Sequence, residues 1–508
     1  MALQEVESCR NWSNNSKGAL QNMTRDASNY EEQITPRLQW LSDSQVEQIH
    51  YSSLEVLENT GIIVQNAEAL SLLQAAGCRV QEKWAWIPAW LVEECLRSAP
   101  KRITVANRLG ERVMPLEKNR VYYGTGSDLP FTIDMETGER RTSAKNDVCA
   151  AAKLLDYLPN FDFLMSYGIA TDMPPSVSDL HQFEAMTRNS SKPIVFTSHN
   201  AENTEAIIEM AAACAGGLDE LKKNPYIVLF SQPIPPLVHT DEGIAKMYKC
   251  IEYDIPVIYM PGVVGGATTP VTKAGMVTLM NAECLAGVVL SQVKKKGAKI
   301  LIGGGATPMD MKTTATLYGA PETSMNYAVL TQLAQSYGLA NFIEAGCVNA
   351  PLPDVQAGIE AAMSVLLTQL EGGNLVHDVG YLEGGKTGYL PFLVICNDII
   401  SMARYTGAGT RVTPETMSVG VIDDVGPGGN YLTHPHTAKH FREEIWEPHT
   451  FIRYMWDQWE VKGKKSCFDL AKNRVHDVLA QHQPAPLPDD VCVKMNEIIS
   501  RRQSECED

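Results

Sequence analysis

The middle of the chain alternates short apolar runs with longer segments whose apolar residues recur at helical spacing. The runs fall at residues 121–126, 161–170, 193–198, 226–230, 256–260, 299–302, 341–345 and 375–379. Helical patterns fall at 147–158, 178–188, 204–215, 241–253, 272–295, 322–337, 355–370 and 392–405. The stretch 341–356 shows the logic most clearly. A short run breaks at Gly346 into a proline-studded turn, and Asp354 then opens a helix with apolar positions Ile359, Ala362, Met363, Leu366 and Leu367. Strands that alternate with helices pair in parallel and are buried. Eight such units predict an α/β fold, specifically a (β/α)8 TIM barrel. An open doubly wound sheet has the same alternation, but no Gly-x-Gly-x-x-Gly follows the first run.

The pattern divides the chain into an N-terminal helical cap at residues 1–118, the barrel at 119–410, and a C-terminal extension at 411–508 that wraps back on the barrel. In the cap, Ser42 and Ser44 precede Val46, Ile49, Leu54, Val56 and Leu57 at roughly helical spacing, and a second helix is expected over 90–98. The extension carries the turn glycines Gly426, Gly428 and Gly429, and its Trp446, Trp456 and Trp459 are read as packing residues.

Composition narrows the function classes. A chain of 508 residues with 44% hydrophobic content can bury a large core. The amino terminus has no basic region followed by an apolar one, and no run approaches the ~18 uninterrupted apolar residues of a membrane span. A cytoplasmic protein with no membrane partner is expected. The 12 cysteines include no Cys-x-x-Cys pair, which favours reduced thiols over a disulfide framework. A formal charge of −17 disfavours nucleic acid.

In a barrel the chemistry sits at the carboxyl ends of the strands. The residues there are Ser127, Asp128 and Phe131, then His199 and Asn200, then Ser231 and Gln232. The later runs contribute Pro261, Gly262, Gly265 and Gly266, then Gly303, Gly304 and Gly305, then Cys347, Val348 and Asn349, and lastly Tyr381, Gly384 and Gly385. A mouth of amides, small residues, aromatics and prolines suits a cation or a neutral amine better than a phosphate. Tyr122, Tyr123, Phe131, Phe230, Tyr259 and Tyr381 can form an aromatic cage for a quaternary ammonium. Other motifs are weaker. The glycines around Gly304 lack the Lys-Ser/Thr of a phosphate loop. His434, His436 and His440 have a spacing that permits Zn²⁺, without a carboxylate or Cys to complete it. Cys347 would be a nucleophile only if a His lowered its pKa.

Six motifs in order carry a resemblance over about residues 40–480: GSDLPFTIDMETGERR, SQPIPPL, PGVVGGATTPVTKAG, GGGATPMDMKT, PDVQAGIE and VGPGGNYLTHPHTAKHFREE. Together they resemble the trimethylamine methyltransferase family. Some members of that family carry pyrrolysine in the region corresponding to Cys347, Val348, Asn349 and Ala350, where this chain has only standard residues. It therefore resembles the non-pyrrolysine members, which pass a methyl group from glycine betaine or a related betaine to the Co(I) corrinoid of a separate protein. The resemblance implies a corrinoid protein partner, a small quaternary-amine substrate, no permanently bound cofactor and no metal. A homo-oligomer is expected.

The chemistry agrees with that division, because a methyl on a quaternary nitrogen leaves behind a neutral tertiary amine. The enzyme's task is then to position the methyl and exclude water. Candidate substrate-binding residues are Asp128, Phe131, His199, Asn200, Gln232, Tyr259, Asn349 and Tyr381, with Gly265, Gly266, Gly303 and Gly304 facing the corrinoid. The alternatives are a zinc-dependent TIM-barrel enzyme using the C-terminal histidines and a non-catalytic betaine-binding protein.

Overall fold

Seven strands form one curled, all-parallel sheet in the computed structural model, which describes residue 23, residues 37–126 and residues 128–507. The strands are β1 (Tyr122–Tyr123), β2 (Ile194–Phe196), β3 (Ile227–Ser231), β4 (Val257–Tyr259), β5 (Ile300–Gly303), β6 (Asn341–Glu344) and β7 (Leu375–His377). Their order across the sheet is β1-β7-β6-β5-β4-β3-β2. Each falls on one of the apolar runs, β3 and β5 extending one residue past theirs. The run at 161–170 differs, contributing only single parallel bridges, Phe163 to Gly124 and Leu164 to Ile194. Side chains have taken over its ladder. The Asp162 carboxylate accepts from the Tyr123 N–H at 2.9 Å, and the Thr125 hydroxyl both accepts from Met165 N–H at 3.1 Å and donates to its carbonyl at 3.0 Å.

Eight helices accompany the strands: α1 (Lys145–Tyr157), α2 (Ser178–Asn189), α3 (Ala201–Ala215), α4 (Asp241–Glu252), α5 (Lys273–Lys294), α6 (Pro321–Tyr337), α7 (Val355–Glu371) and α8 (Leu390–Gly407). By length and composition α5 is apolar enough to cross a membrane, yet 78% of its apolar window is buried inside the fold. Its apolar character is that of a core helix.

Two cores result from the period-2 alternation of the strands. One gathers Tyr122, Val195, Val228, Ile258, Leu301, Phe342 and Leu375, one residue from each strand, together with Phe163. The hairpin Ile103–Ala106 and Arg112–Leu116 adds Ile103, Val105, Met114 and Leu116 to the same cluster. Because these strand residues stand at or near the strand starts, the hairpin plugs the amino-terminal end of the curled sheet. The other core lies between sheet and helices. The carboxyl ends are left for function.

The described part of the first 118 residues is mixed, which corrects the expectation of a helical cap. Helices Asp43–Glu55, Ala67–Ala75 and Ala89–Ser98 are separated by strands Ile62–Val64, Arg79–Gln81 and Trp84–Trp86. Ser42 does cap the first of these, in a reciprocal pair with Gln45. The β-branched run Ile62–Val64 then follows the left-handed Gly61 and pairs in parallel with Val238–His239, pinning the loop after β3.

In the extension, helix Cys467–Gln481 packs on α8 and α1, and Asp489–Glu507 packs on α3 and α2. Between them and α8 the chain builds little core of its own, since Thr450 is the one buried residue over 411–465. Trp446 Nε1 donates to Ser401 Oγ at 2.7 Å. Trp456, expected to pack, is 67% exposed.

Candidate functional site

A cavity of about 730 Å³ opens at the carboxyl ends of the strands. It is acidic. Asp128, Asp179, Glu242, Glu344 and Asp378 line it, and among the described lining residues Lys246 is the sole lysine or arginine.

The wall formed by β6, β7 and the turn after β1 carries most of the perturbed chemistry. Glu344 ends β6 and His377 ends β7, so each points from the last position of a strand toward the opening. Glu344 accepts a hydrogen bond from the Tyr327 hydroxyl at 2.8 Å. Burial, and then the neighbouring Asp378 carboxylate, hold its carboxyl well above the usual range. His377 stacks on Phe342 at 4.0 Å and its Nδ1 lies 2.8 Å from Asp378 Oδ1. Both Asp128 and Asp378 sit in the left-handed region, at φ 64 and 65. A Cβ on Gly126 would come within 1.5 Å of Asp378 Oδ1, so a glycine there is what lets this carboxylate tuck in.

The opposite wall, from the ends of β2 and β3 and the start of α4, is richer in neutral donors. Thr197, Ser198, His199, Ser231, Gln232 and Thr240 line it. Asp128 is held between the walls, accepting from Gln182 Nε2 at 2.7 Å and from the Thr197 hydroxyl at 3.0 Å. Asp179 accepts from the His199 N–H at 2.8 Å and from Asn203 Nδ2 at 2.9 Å. The Lys246 ammonium donates to the Ser198 carbonyl at 2.8 Å. Burial pulls its pKa down, against the pull of Glu242, Asp179 and Asp128.

Of the candidate substrate-binding residues, Asp128, His199, Gln232 and Tyr381 are brought together on this cavity, joined by Phe230, Ser231, Gly262, Gly305 and Gly385 from the wider set of strand-end residues. The remaining substrate-binding candidates are placed elsewhere. Asn200 caps α3, accepting from Asn203 N–H. Asn349 pins the neighbouring loop, accepting from Gly319 N–H at 2.8 Å and donating to the Thr316 carbonyl at 2.8 Å. Tyr259 lies in the sheet–helix core, its hydroxyl 2.9 Å from His239 Nδ1. Phe131 already has a cation of its own, the Arg140 guanidinium 3.5 Å from the ring centroid. Tyr122 and Tyr123 are core residues. The phenyl and phenol rings lining the cavity are thus those of Phe230, Tyr318 and Tyr381. Ser127 lies outside the described residues.

Among the expected corrinoid-facing glycines, Gly266 is exposed while Gly265, Gly303 and Gly304 are buried. A Cβ on Gly303 would meet the Phe342 carbonyl at 2.5 Å, and one on Gly304 would meet Met280 Sδ at 2.1 Å. Their small size serves close packing beneath the mouth.

Cys347, Val348 and Ala350 are buried in a loop laced by backbone hydrogen bonds to residues 381–384. Burial, Glu344 and Asp378 all push the Cys347 thiol up, the opposite of what a nucleophile needs. Cys347, Glu344 and Asp378 each offer a ligand atom within 4.8 Å of the others, the sole grouping of this kind among the described residues. His434, His436 and His440 make none. His434 Nδ1 accepts from His436 N–H, and His436 Nε2 lies 2.9 Å from Ser418 Oγ.

Sequence reasoning missed Asp179, Gln182, Lys246, Glu344, His377 and Asp378. Glu344 and Asp378 had a signal, as acids lying inside two otherwise apolar runs. Lys246 sits inside a helix and had none.

The trimethylamine methyltransferase (MTTB) family profile matches residues 9–507. The trimethylamine methyltransferase MttB of Desulfitobacterium hafniense is 32% identical over 466 residues, covering 91% of this chain and 94% of its own length. That of Methanosarcina barkeri is 31% identical over 475 residues, covering 91% and 95%. A glycine betaine methyltransferase of D. hafniense is 28% identical over 477 residues, covering 93% and 99%. Among solved structures, the monomethylamine methyltransferase MtmB of M. barkeri superposes with a TM-score of 0.45 at 11% identity, covering 88% of this chain and 96% of that one.

Proposed function

From the premise that the chain belongs to the trimethylamine methyltransferase family and is a methyltransferase, we propose that its donor is a quaternary amine, glycine betaine or a related betaine. The acceptor is the Co(I) corrinoid of a partner protein, and the product is the tertiary amine. The observation that carries this reading is the cavity's acidity, with Asp128, Asp179, Glu242 and Asp378, besides the Glu344 carboxyl, against one lysine, and with Phe230, Tyr318 and Tyr381 in its lining. Such a site attracts a fixed positive charge by ordinary Coulomb and cation–π forces. The standard residues Cys347 to Ala350 and the glycine betaine methyltransferase relative also support it.

The corrinoid, when presented by its partner, supplies the nucleophile. This chain's residues bind, orient and desolvate. Asp378 and the rings hold the ammonium, and their hold must stay weak, because the positive charge disappears as the methyl leaves. Burial and Asp378 hold the Glu344 carboxyl well above the usual range and so favour its neutral form, which adds a hydrogen-bonding group without deepening that hold. The exposed Gly262 and Gly266 leave the rim low on the β4 side, where a corrinoid domain has room to approach.

The test is product identification. Incubated with a reduced corrinoid partner and glycine betaine, the enzyme should yield dimethylglycine by proton NMR in step with corrinoid methylated. Absence of any demethylated amine from every betaine tried would leave a binding protein.

A second reading has one observation in its favour. Glu344, Cys347 and Asp378 form a donor set suited to Zn²⁺ with an open fourth position. Stoichiometric zinc on the purified protein, lost in Cys347→Ser, would move the assignment there.

The wider reading is a closed (β/α)8 barrel, supported by the two bridges through Phe163 and Leu164 that link the sheet's edges and by the single inner core. It keeps the three-part division at 1–118, 119–410 and 411–508. It also takes the protein to be a cytoplasmic homo-oligomer, a state supported by the exposed apolar side chains on α7 and in the extension.

A further inference from the structure

A betaine carries two charges, and the cavity offers a group for each. On one side stand Glu344, Asp378, Tyr318 and Tyr381, on the other Lys246, the sole lysine or arginine among the described lining residues, with Asp179, Glu242 and the neutral donors of β2 and β3. β7 and β3 lie four places apart in the sheet order, so the two sets face one another across the opening. We infer that Lys246 is the carboxylate-recognising residue of this cavity, orienting a zwitterionic amine with its ammonium toward Asp378 and the aromatic rings. The inference rests on the amine reading above and sharpens it.

Lys246 has capacity for a ligand. A lysine ammonium carries three donors. One is given to the Ser198 carbonyl at 2.8 Å, and Glu242 Oε1, one turn earlier on α4, stands off at 3.9 Å. The remaining groups acting on it are Asp179 from α2, Asp128 from the turn after β1 and Cys250 from its own helix. Asp179 is occupied by His199 and Asn203, and Asp128 by Gln182 and Thr197. Neither acid is therefore a dedicated counter-ion for the lysine. Thr240 and Gly243, at the start of α4, line the same wall, where the helix dipole adds to the positive potential.

The far wall independently points to a polar ligand. The Tyr381 hydroxyl and His377 Nε2 are buried, belong to residues lining the cavity, and have no protein hydrogen-bond partner. A ligand that ends in a carboxylate satisfies the lysine, while its quaternary end, which neither donates nor accepts a hydrogen bond, meets the oxygen and nitrogen lone pairs of these groups by charge–dipole attraction alone. Choline or tetramethylammonium leaves the lysine unpaired, and unpaired buried donors are what make a polar site selective.

The experiment is calorimetric titration of the full-length protein with glycine betaine, choline and tetramethylammonium. Wild type should bind glycine betaine more tightly than either simple cation. Lys246→Met should weaken glycine betaine by about tenfold or more, while choline affinity stays within about threefold. Lys246→Arg should retain most of the preference, and its thermal melt together with that of Lys246→Met checks folding. Equal losses for all three ligands in Lys246→Met, or no loss for glycine betaine, overturns the inference. If wild type methylates a corrinoid from glycine betaine while Lys246→Met binds it normally, only this inference falls. A wild type that binds no quaternary amine removes both readings.

Discussion

Asp378 and Glu344 stand side by side yet do different work. Asp378 shares a contact with His377 and keeps 17% of its side-chain surface exposed, whereas Glu344 is buried, and burial with the Asp378 charge pushes its carboxyl well above the usual range toward the neutral form. Asp378→Asn should therefore weaken a quaternary amine by about tenfold or more, and Glu344→Gln, which resembles the protonated acid, should change affinity by less than about threefold, both read by calorimetry. Replacing Phe230 or Tyr381 by Ala should cost about 0.5–2 kcal/mol of binding, the range of a cation–π contact, while Phe131→Ala should cost nothing measurable. That last contrast shows where the sequence stops being legible. Aromatics at strand ends were visible in the pattern, but whether a ring faces the opening depends on a shift of one residue in a period of two. Tyr259 turns outward to His239, and Phe131 is covered by Arg140. His239 lies 20 residues before Tyr259, and Arg140 reaches Phe131 only through the hairpin that pairs Phe131–Ile133 with Arg140–Thr142.

At the scale of elements, the helix of the 341–356 unit begins where expected, with Asp354 accepting from the Gln356 and Ala357 N–H groups. Its expected apolar face, however, points out. Ile359 is 62% exposed, and the residues facing the sheet are Ala357, Ala361, Ser364, Val365 and Thr368. Periodicity reveals a helix without saying which of two faces meets the core, because small residues also pack. Within the central sheet the apolar runs marked the strands, except that the run at 161–170 makes only single bridges because Asp162 and Thr125 intercept it. The short backbone-paired strands before residue 118, such as Ile62–Val64 and Arg112–Leu116, were not expected.

Two stability predictions belong here. Gly303→Ala forces a Cβ against the Phe342 carbonyl, a backbone atom that has little room to yield, and should destabilise by about 1–3 kcal/mol in denaturant unfolding. Glu371, the last residue of α7, is buried with Trp40 Nε1 donating to it, and burial pushes its carboxyl up to about 8. The fold therefore keeps a proton that the unfolded chain releases near the ordinary glutamate value of 4.5. This contribution is fully present below that lower value and is lost as pH rises through about 8. Glu371→Gln should flatten the fall in melting temperature across this window and raise stability above it.

For the whole molecule, the informative surface is the one with too little core. Val355, Ile359 and Met363 expose apolar side chains along α7, and the segment 411–465 adds Ile422, Leu432, Met455 and Trp456. That segment is also nearly neutral, with seven Lys or Arg against eight Asp or Glu, in a chain whose net charge is −17. Large apolar patches with balanced charge mark interfaces. Light scattering should show an oligomer, and the double variant Ile359→Glu, Met363→Glu should shift it to smaller species with an unchanged circular-dichroism spectrum. A monomeric wild type would remove that part of the account.

The central claim is the donor. The most direct measurement mixes the enzyme anaerobically with a reduced Co(I) corrinoid protein and, in separate cuvettes, a panel of betaines and trimethylamine. The account predicts that the Co(I) absorption is discharged by at least one betaine and persists with trimethylamine. Discharge by trimethylamine, with the betaines silent beside the same partner, would contradict it.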